Sequence, residues 1–493
     1  MTHHNQIDHK LQPRENQKVA IDDAVDNLRS YGFHGLLLEM SLGKTKCALN
    51  IAEILNKYGS CFRIQIIAPK AIQSVWLDEI PLQSHITEAP VIWENKKTIS
   101  FQKQVRDLLG QDFPVLLTRL ELFQKKNPIL QQYLQEYYSR PTICILDESS
   151  KIKNVTTQRT PRLIEYTNGA AYNLILTGTP WTESPLDIFA QMEFLKSGFW
   201  YTASNPKLVG KPSTLRKHWY IFRSRYAIMR EIRTGEGRTF KTVVGTRRTE
   251  EIANKIRPYV TQQKKEDWLD LPEKMFQTLH VEMNKEQKRV YQELKENLLA
   301  EYGDQLLTVP NAVTLLTRLR QVAGGFFPET GEQIGSEVPG ISTMLEDLSE
   351  YSGKIIIAAS YVAEIQGIYA SLVKQYSPAA LATYYGDTKD REAELHRFKE
   401  DLDCKFLILN PQSGAYGLNL QHASLMYLYS RPYSYEQNAQ LLDRIHRPGQ
   451  RNVCIYKDVV HTGTVQEKVI QAIKRKKDVV DKFDNLTFRD FLS

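Results

Sequence analysis

The sequence lacks long apolar segments, and this shortage argues against a protein that spans a membrane. Its longest apolar runs, such as KIIIAASY at 354–361, have the length of a strand, whereas a membrane helix needs about 20 apolar residues. The amino terminus, MTHHNQIDHK, has no apolar core of the kind that a signal peptide carries. We therefore expect an intracellular protein with no membrane contact, cytoplasmic in a bacterium or a phage-infected cell and nuclear in a eukaryote.

Cysteine is also scarce. The five cysteines are scattered, at positions 47, 61, 144, 404 and 454. No two of them have the short spacing that a zinc site or a redox motif requires. We expect buried thiols in a reducing compartment.

Acidic residues are scarce in one segment. Between positions 207 and 257 the chain has 14 lysines and arginines against 4 glutamates and no aspartate, while the remainder is nearly balanced in charge. The segment also contains Trp219, Tyr220, Phe222, Tyr226 and Phe240. This mixture is typical of a surface that binds nucleic-acid phosphates. The alternative is a solvated helical face whose aromatic residues belong to the core.

Short apolar runs, most of them followed by a polar stretch that suits a helix, recur along the chain. This rhythm is typical of parallel sheets covered by helices, and 493 residues exceed what one core usually serves. We predict an α/β protein of two lobes, each interrupted by an insert. The predicted strands lie at 35–38, 64–68, 115–118, 142–146 and 174–176 in the first lobe, and at 278–283, 354–358, 380–384, 406–409, 425–428 and 453–456 in the second.

The predicted domain boundaries follow from this rhythm. The first lobe covers 1–190, a basic helical insertion covers 191–260, and a polar connector covers 261–274. The start of the second lobe, with a short helical protrusion, covers 275–350, and the rest of that lobe covers 351–493.

The segment LEMSLGKT at 38–45 has the strand, loop and helix context of a phosphate-binding loop. Backbone N–H groups and the helix amino terminus would hold the phosphates of ATP, Lys44 would add a positive charge, and the Thr45 hydroxyl would bind Mg²⁺. A GKT string alone occurs often by accident, so the assignment depends on the other motifs. The loop residues assigned to the nucleotide are Leu42, Gly43, Lys44, Thr45 and Lys46.

A predicted strand ends in two adjacent carboxylates, Asp147 and Glu148. Asp147 would hold Mg²⁺ and Glu148 would polarise the attacking water, because one acid must bind the cation while its neighbour accepts a proton. A helix N-cap with solvated acids is the alternative. The next strand ends in the hydroxyl-rich turn Thr177–Pro180, which we expect to relay between the ATP site and a bound polymer.

Two segments of the second lobe add to this pattern. Small residues from Ser413 to Gly417 follow a strand, so the backbone there could approach a ligand closely, although an ordinary turn would look the same. In QLLDRIHRPGQ at 440–450, Arg444 and Arg447 share one helix face and would stabilise charge on a departing γ-phosphate. Isolated arginines are more often surface residues. Their spacing from Gln440, His446 and Gln450 makes the pattern specific.

Taken in order, these segments resemble the Swi/Snf family of superfamily-two ATPases, double-stranded DNA translocases with two RecA-like lobes, in a compact bacterial or phage form. The resemblance covers about residues 11–477. The strings that carry it are LQPRENQ, LEMSLGKT, IIAPKAIQSVW, VLLTRLELF, LDESSK, LTGTP, RPYVTQQKKEDWLDLPEK, LTRLRQVAGG, KIIIAASY, SGAYGLNL and DRIHRPGQ.

The resemblance implies roles for further residues. Gln17 would bind adenine, and Gly417 and Gln440 would also contact the nucleotide. ATP with Mg²⁺, held by Thr45 and Asp147, would be the cofactor pair. The implied DNA contacts are Lys70, Thr118, Lys151, Lys153, Thr177, Thr179, Arg223, Arg225, Arg230 and Ser413.

Three positions depart from the family pattern. Ser150 replaces the histidine of DEAH, Ser41 stands where glycine is common, and Tyr433 is the nearest candidate for a tryptophan ahead of the arginine motif. Every charged group is present, so we expect hydrolysis to be retained.

The expected function is a DNA-stimulated ATPase that moves along double-stranded DNA without separating its strands. It would remodel DNA or protein–DNA complexes in repair, recombination or transcription. One alternative is a strand-separating or fork-remodelling helicase that acts on branched DNA. Another is a nucleotide-gated DNA-binding scaffold with little turnover. The sequence specifies no protein partner.

Overall fold

The computed structural model describes residues 10–94, 99–182, 184–201, 211–233, 239–302, 309–414 and 418–488. These residues fall into two compact units. The first lies within Met1–Met229, Val243–Trp268 and Val479–Ser493, and the second within Arg230–Thr242 and Leu269–Asp478.

The first unit is built on a parallel sheet of seven strands. Strand order across the sheet is third, fourth, second, fifth, sixth, first and ninth in chain numbering, and all pairings are parallel. These strands are β1 (Phe33–Leu38), β2 (Arg63–Ala68), β3 (Val91–Ile92), β4 (Val115–Arg119), β5 (Thr142–Asp147) and β6 (Tyr172–Leu176), with β9 (Val260–Gln263) after the separate two-stranded sheet of β7 (Ala227–Arg233) and β8 (Thr239–Thr246).

Helices cover this sheet and account for the continuous apolar runs of its central strands. Residues of β1, β2 and β5 are buried along their whole length, as expected for parallel strands covered on both faces. The helices are α1 (Glu15–Tyr31), α2 (Lys44–Lys57), α3 (Gln73–Gln83), α4 (Ile99–Leu109), α5 (Pro128–Tyr137), α6 (Arg159–Thr167), α7 (Ile188–Leu195), α8 (Pro212–Tyr226) and α9 (Thr249–Ile256).

The second unit has a parallel sheet of six strands, β10 (Lys274–Val281), β11 (Lys354–Ala358), β12 (Leu381–Tyr384), β13 (Phe406–Leu409), β14 (Ala423–Leu428) and β15 (Cys454–His461). Their order is β10-β15-β14-β11-β13-β12. Its helices are α10 (Lys285–Tyr302), α11 (Val309–Ala323), α12 (Pro339–Leu348), α13 (Val362–Val373), α14 (Arg391–Glu400), α15 (Pro411–Gly414), α16 (Tyr435–Leu442) and α17 (Val465–Phe488).

The predicted fold class is therefore confirmed: two α/β units, each with a parallel sheet flanked by helices. The five cysteines are buried and unbridged, as expected. In the described part of the chain, no helix combines the length and apolarity needed to cross a bilayer.

The basic insertion at 191–260 is not wholly helical, which corrects the prediction. Its helix α8 is followed by the strands β7 and β8. The strand sequences AIMREIR and TFKTVVGT are rich in β-branched residues, which favour strands. The prediction of helix gave more weight to the basic charge of the segment.

Two of the five aromatic residues named in this segment are core residues, and the Phe240 side chain lies outside the described residues. Phe222 and Tyr226 are buried, and Trp219 stacks on Phe222 and packs against Phe189. Tyr220 is exposed. The alternative, in which the aromatic residues belong to the core, is therefore correct for the buried rings. The basic side chains of the segment still favour a surface that binds nucleic acid.

Two predicted boundaries also change. The connector at 261–274 contains most of β9, which pairs with β1 as part of the first sheet, and ends where β10 begins at Lys274. The segment at 275–350 contains β10, close to the strand predicted at 278–283, and α12, whose Ile341, Met344 and Leu348 belong to the second unit's core and not to a protrusion.

Candidate nucleotide site and arginine motif

The carboxyl ends of three neighbouring strands bring the first-unit motifs together. In the sheet β6 lies between β1 and β5, with Leu176 paired to Leu36 on one side and to Asp147 on the other. Parallel strands end at the same sheet edge. The loops after Leu38, Asp147 and Leu176 therefore share one end of the sheet, the usual ligand-binding end of an α/β fold.

Gly43 begins α2 in a conformation that favours glycine. Its φ is +89°, and a Cβ atom there would overlap the side-chain amide of Gln17. That amide donates to the Leu42 carbonyl at 3.2 Å, and the Gln17 oxygen accepts from the Arg14 backbone N–H at 2.9 Å. In this structure Gln17, predicted to bind adenine, holds the phosphate loop.

Ser41 explains why glycine is common at its position. Its φ is +71°, in the left-handed region that costs energy for residues with a Cβ atom. The Arg14 guanidinium donates to its carbonyl oxygen at 2.9 Å. The loop thus keeps its conformation without glycine.

The Lys44 side chain contacts the backbone at the start of the phosphate loop. Its amino group donates to the Leu38 carbonyl at 2.9 Å and approaches the Glu39 carbonyl at 3.4 Å. A Cβ atom on Gly178 would lie 3.3 Å from the same amino group. The hydroxyl-rich turn after β6 therefore lies against the phosphate loop, as its proposed relay role requires.

Asp147 is a buried carboxylate with both oxygens bonded. Oδ2 accepts from the indole N–H of Trp76 at 2.9 Å, and Oδ1 accepts from the Glu148 backbone N–H at 2.8 Å. Burial raises the pKa of Asp147, while the positive charge of Lys44 and these two hydrogen bonds oppose the rise. Lys44 lowers this pKa through its positive charge.

Glu148 adopts a strained backbone conformation. Its φ is +51°, uncommon for a residue other than glycine and frequent at functional sites. Its side chain does not cap the turn that follows, and Asp147 is only 8% exposed. The alternative of a helix N-cap with solvated acids is therefore wrong for Asp147, while Glu148 occupies the N-cap position of a 3₁₀ turn and is half-buried.

The donor set suits magnesium. Among the described residues, no group of three or more His, Cys, Asp and Glu side chains could hold a metal by itself. Mg²⁺ does not need such a cage, since it commonly binds one or two protein oxygens, phosphate oxygens and water. Thr45, at the start of α2, and Asp147 supply those oxygens, so the predicted pair fits the ion.

The predicted arginine pair lies in the turn that follows α16, not on one helix face as predicted, and both side chains bond one acceptor in the second unit. Arg444 and Arg447 donate to the Leu418 carbonyl at 3.2 and 2.7 Å. Arg444 is buried, and its own carbonyl accepts from the Leu420 backbone N–H at 3.1 Å. These hydrogen bonds thus join the arginine motif to the segment that follows Ser413. Gly417 lies outside the described residues.

The other residues of the arginine motif have structural partners. The Gln450 amide donates to the carbonyls of Gln421, Ala423 and Ile445, and His446 bonds the Pro272 carbonyl at 2.8 Å. Gln440 is buried on α16. The spacing of Gln440, His446 and Gln450 around the two arginines therefore serves local folding as well as the predicted chemistry at the phosphate.

Several predicted DNA contacts are inaccessible. Thr118 is fully buried in the sheet, where its hydroxyl accepts from Gln65 at 3.0 Å, so its assignment to DNA is wrong for this structure. The Thr177 side chain is also fully buried and accepts from the Thr179 N–H. A threonine in a parallel strand has no outward face, because both faces of the sheet are covered.

Other predicted contacts have partners within the protein. Lys153 donates to Thr182 at 2.6 Å, and Arg225 forms an ion pair with Glu251 at 2.7 Å. The Lys46 amine, assigned to the nucleotide, donates to the Leu11 and Gln12 carbonyls instead. Lys153 and Arg225 are nevertheless half-buried and exposed, as are the remaining accessible members of the predicted set, Lys70, Lys151, Thr179, Arg223, Arg230 and Ser413.

Two further residues were not singled out from the sequence. Trp76, which bonds Asp147, lies in IIAPKAIQSVW, but a tryptophan in a helix is ordinarily interpreted as a core residue. Arg320 on α11 lies 4.3 Å from the ring centroid of Tyr433 and donates to the Arg431 carbonyl. Its string LTRLRQ gave no sign of that partner.

Comparison with known proteins gives a consistent result. Residues 26–324 match the SNF2-related domain family, and residues 340–449 match the helicase conserved C-terminal domain. Similar proteins include the TATA-binding protein-associated factor MOT1 of Saccharomyces cerevisiae, 23% identical over 93% of this chain and 27% of that protein. The transcription regulatory protein SNF2 of the same yeast is 23% identical over 91% of this chain and 26% of its own length.

The chain thus spans about a quarter of the length of these two relatives. Among solved structures, the Sulfolobus solfataricus SWI2/SNF2 ATPase core in complex with dsDNA is 19% identical and aligns over 98% of this chain and 96% of that chain, with a TM-score of 0.44.

Proposed function

Because the chain belongs to the SNF2-related family of helicase-like ATPases, we propose that it hydrolyses ATP and uses the energy to move along double-stranded DNA without separating the strands. The observation that carries the hydrolytic part is the shared sheet edge, where the phosphate loop with Lys44, the buried Asp147 and the Gly178 turn follow adjacent strands.

In this proposal each residue at the sheet edge has a distinct task. The start of α2 and Lys44 bind the phosphates, because backbone N–H groups and a positive charge both favour an anion. Glu148, which follows Asp147 and has a strained backbone, orients the attacking water and accepts its proton. Magnesium, when bound by Thr45 and Asp147, neutralises charge on the phosphate oxygens.

Arg444 and Arg447 would act on the γ-phosphate. One acceptor that they share is the neutral Leu418 carbonyl, and a phosphate oxygen is a stronger acceptor for a guanidinium. Stabilising the charge that develops there is the task of arginine fingers in related reactions.

The DNA part of the proposal is supported by family membership and by the location of positive charge. Lys70 is exposed at the start of a 3₁₀ turn before α3, and Arg223 and Arg230 lie in the basic segment. Relatives include proteins named as chromatin-remodelling ATPases, which is consistent with a duplex DNA track. Remodelling of protein–DNA complexes is our proposal for the outcome of movement.

The experiment is steady-state ATP hydrolysis at low salt, without nucleic acid and with blunt duplex DNA, single-stranded DNA or duplex RNA. Stimulation by duplex DNA supports the proposal, and displacement of a triplex-forming strand would then measure movement. Stronger stimulation by single strands, with strand separation on forked DNA, would favour a helicase. Nucleotide-dependent DNA binding with negligible turnover would favour a scaffold.

A further inference from the structure

The side chain that donates to Asp147 belongs to α3, a helix in which no ATP-site residue was predicted. Trp76 lies in α3, is 1% exposed, and donates its indole N–H to Asp147 Oδ2 at 2.9 Å. In the described part of the chain, it is the one side chain found donating to this carboxylate.

An indole suits a positioning role. Its N–H is a donor only, so it cannot compete with the carboxylate for a cation. Its ring is rigid and buried, so the donor has little freedom to move. The other oxygen, Oδ1, is held by the Glu148 N–H, and together the two bonds fix the carboxylate plane.

Without the Trp76 bond only Oδ1 would be held, and the terminal torsion of the carboxylate, which has a broad energy well, would be less restricted. Partners that orient metal-binding side chains typically change metal affinity 10- to 100-fold when removed. A buried donor at 2.9 Å from Oδ2 meets the geometric requirement for such a partner.

We propose that Trp76 is a positioning residue that orients Asp147 for magnesium, so that removing its N–H weakens magnesium-dependent nucleotide binding while metal-free nucleotide binding stays intact. This inference rests on the proposed function for the identity of the ion and nucleotide, but not on DNA movement.

The test compares Trp76→Phe with Trp76→His. Both replacements shrink the buried ring, but the imidazole keeps a ring N–H donor and the phenyl ring has none. Trp93→Phe is the matched control, because Trp93 is also buried in the first unit and packs on Tyr133 at a centroid distance of 5.0 Å.

The measurement is binding of a fluorescent ADP analogue to the full chain, in EDTA and over a magnesium titration, without DNA. For Trp76→Phe we expect unchanged binding in EDTA and about a 10-fold higher magnesium concentration for half-maximal effect. Trp76→His should lie closer to the wild type, and Trp93→Phe should match it.

Equal magnesium dependence of the wild type and Trp76→Phe would overturn the proposal. So would equal weakening in the Phe and His variants, or loss of binding in EDTA, because both indicate packing alone. A wild-type ATPase that DNA fails to stimulate would contradict the proposed movement but would leave this binding comparison unaffected, so the two failures are distinguishable.

Discussion

Arg444 and Arg447 share a single acceptor, the carbonyl oxygen of Leu418, at 3.2 and 2.7 Å. Three residues apart, they lie in the turn that follows α16 (Tyr435–Leu442). We expect the pair to exchange this neutral acceptor for phosphate during hydrolysis.

The first prediction concerns this pair. Arg444→Lys and Arg447→Lys should each lower the ATPase kcat about 1000-fold, because lysine keeps the charge but loses the planar fork that grips phosphate oxygens. Nucleotide binding should change little. Single-turnover hydrolysis with a binding assay checks this, and Arg451→Lys, on an exposed residue of the following turn, is the control. Normal kcat in both variants would remove the arginines from the mechanism.

Glu148→Gln should abolish turnover while preserving ATP binding. The amide keeps the size of the side chain but cannot accept the proton from water, a change worth about 100- to 10,000-fold in rate. Phosphate release and ATP binding are measured side by side. Glu282→Gln is the control, because the Glu282 side chain is 80% exposed and lies in the second unit. Retained DNA-dependent function without turnover would support the scaffold alternative.

Gly43→Ala should impair both folding and nucleotide binding. The φ of +89° costs alanine about 1 kcal/mol, and the new Cβ atom would also overlap Gln17. Gly59→Ala is a matched control, since Gly59 has a φ of +66° but nothing within 4 Å of the added atom. Urea unfolding and ATP binding should show a larger loss for position 43. Equal losses would mean that the Gln17 contact is unimportant.

Stability should fall as pH rises through the range in which Glu364 ionises. Burial raises the pKa of Glu364 to about 7 from 4.5. The folded state therefore holds this proton more tightly than the unfolded state, so the folded protein is favoured at low pH and loses on the order of 3 kcal/mol between about pH 4.5 and 7.

Glu364→Gln should flatten this slope, because glutamine does not titrate. The free energy of unfolding, measured by urea at several pH values, tests it. Glu193 in the first unit also has a pKa raised to about 7 by burial, so Glu193→Gln provides an independent comparison. An unchanged slope in the Glu364 variant would show that this carboxyl ionises normally.

DNA affinity should respond to Lys70 but not to Thr118. Lys70→Ala should weaken duplex binding and reduce the slope of log affinity against log salt by about 1, the value for one phosphate contact. Thr118→Val should leave duplex affinity unchanged, because Thr118 is fully buried. Fluorescence anisotropy at several salt concentrations measures the affinities and the Lys70 slope. Weaker duplex binding by a folded Thr118→Val variant would restore the original assignment.

The fold and the chemistry at the strand ends could be predicted because both leave local patterns. Buried parallel strands are continuous apolar runs, so β11 and β13 were located to the residue. Asp147 is the last residue of one such run and Lys44 follows another after a short loop, and the sheet order then brings the two strand ends near each other.

The missed features depend on contacts that are distant in sequence. Strand β9 has the polar sequence VTQQ and forms a strand because it pairs with β1 at the edge of the sheet. The bond from Trp76 to Asp147 joins residues 71 positions apart. Thr118 was misassigned for the same reason, since only the packed sheet shows that its side chain is covered.

The polar strand β9 has a consequence for how the chain can be altered. Gln263 pairs with Leu38, and its carbonyl accepts from the Glu39 N–H at 3.1 Å. Its side chain bonds Asn16, which also donates to Leu42 at 3.1 Å. Residues more than 200 positions downstream of the phosphate loop are thus part of its support. Insertions after Trp268 should act as changes of linker length, whereas a single substitution at Gln263 should behave as an ATP-site mutation.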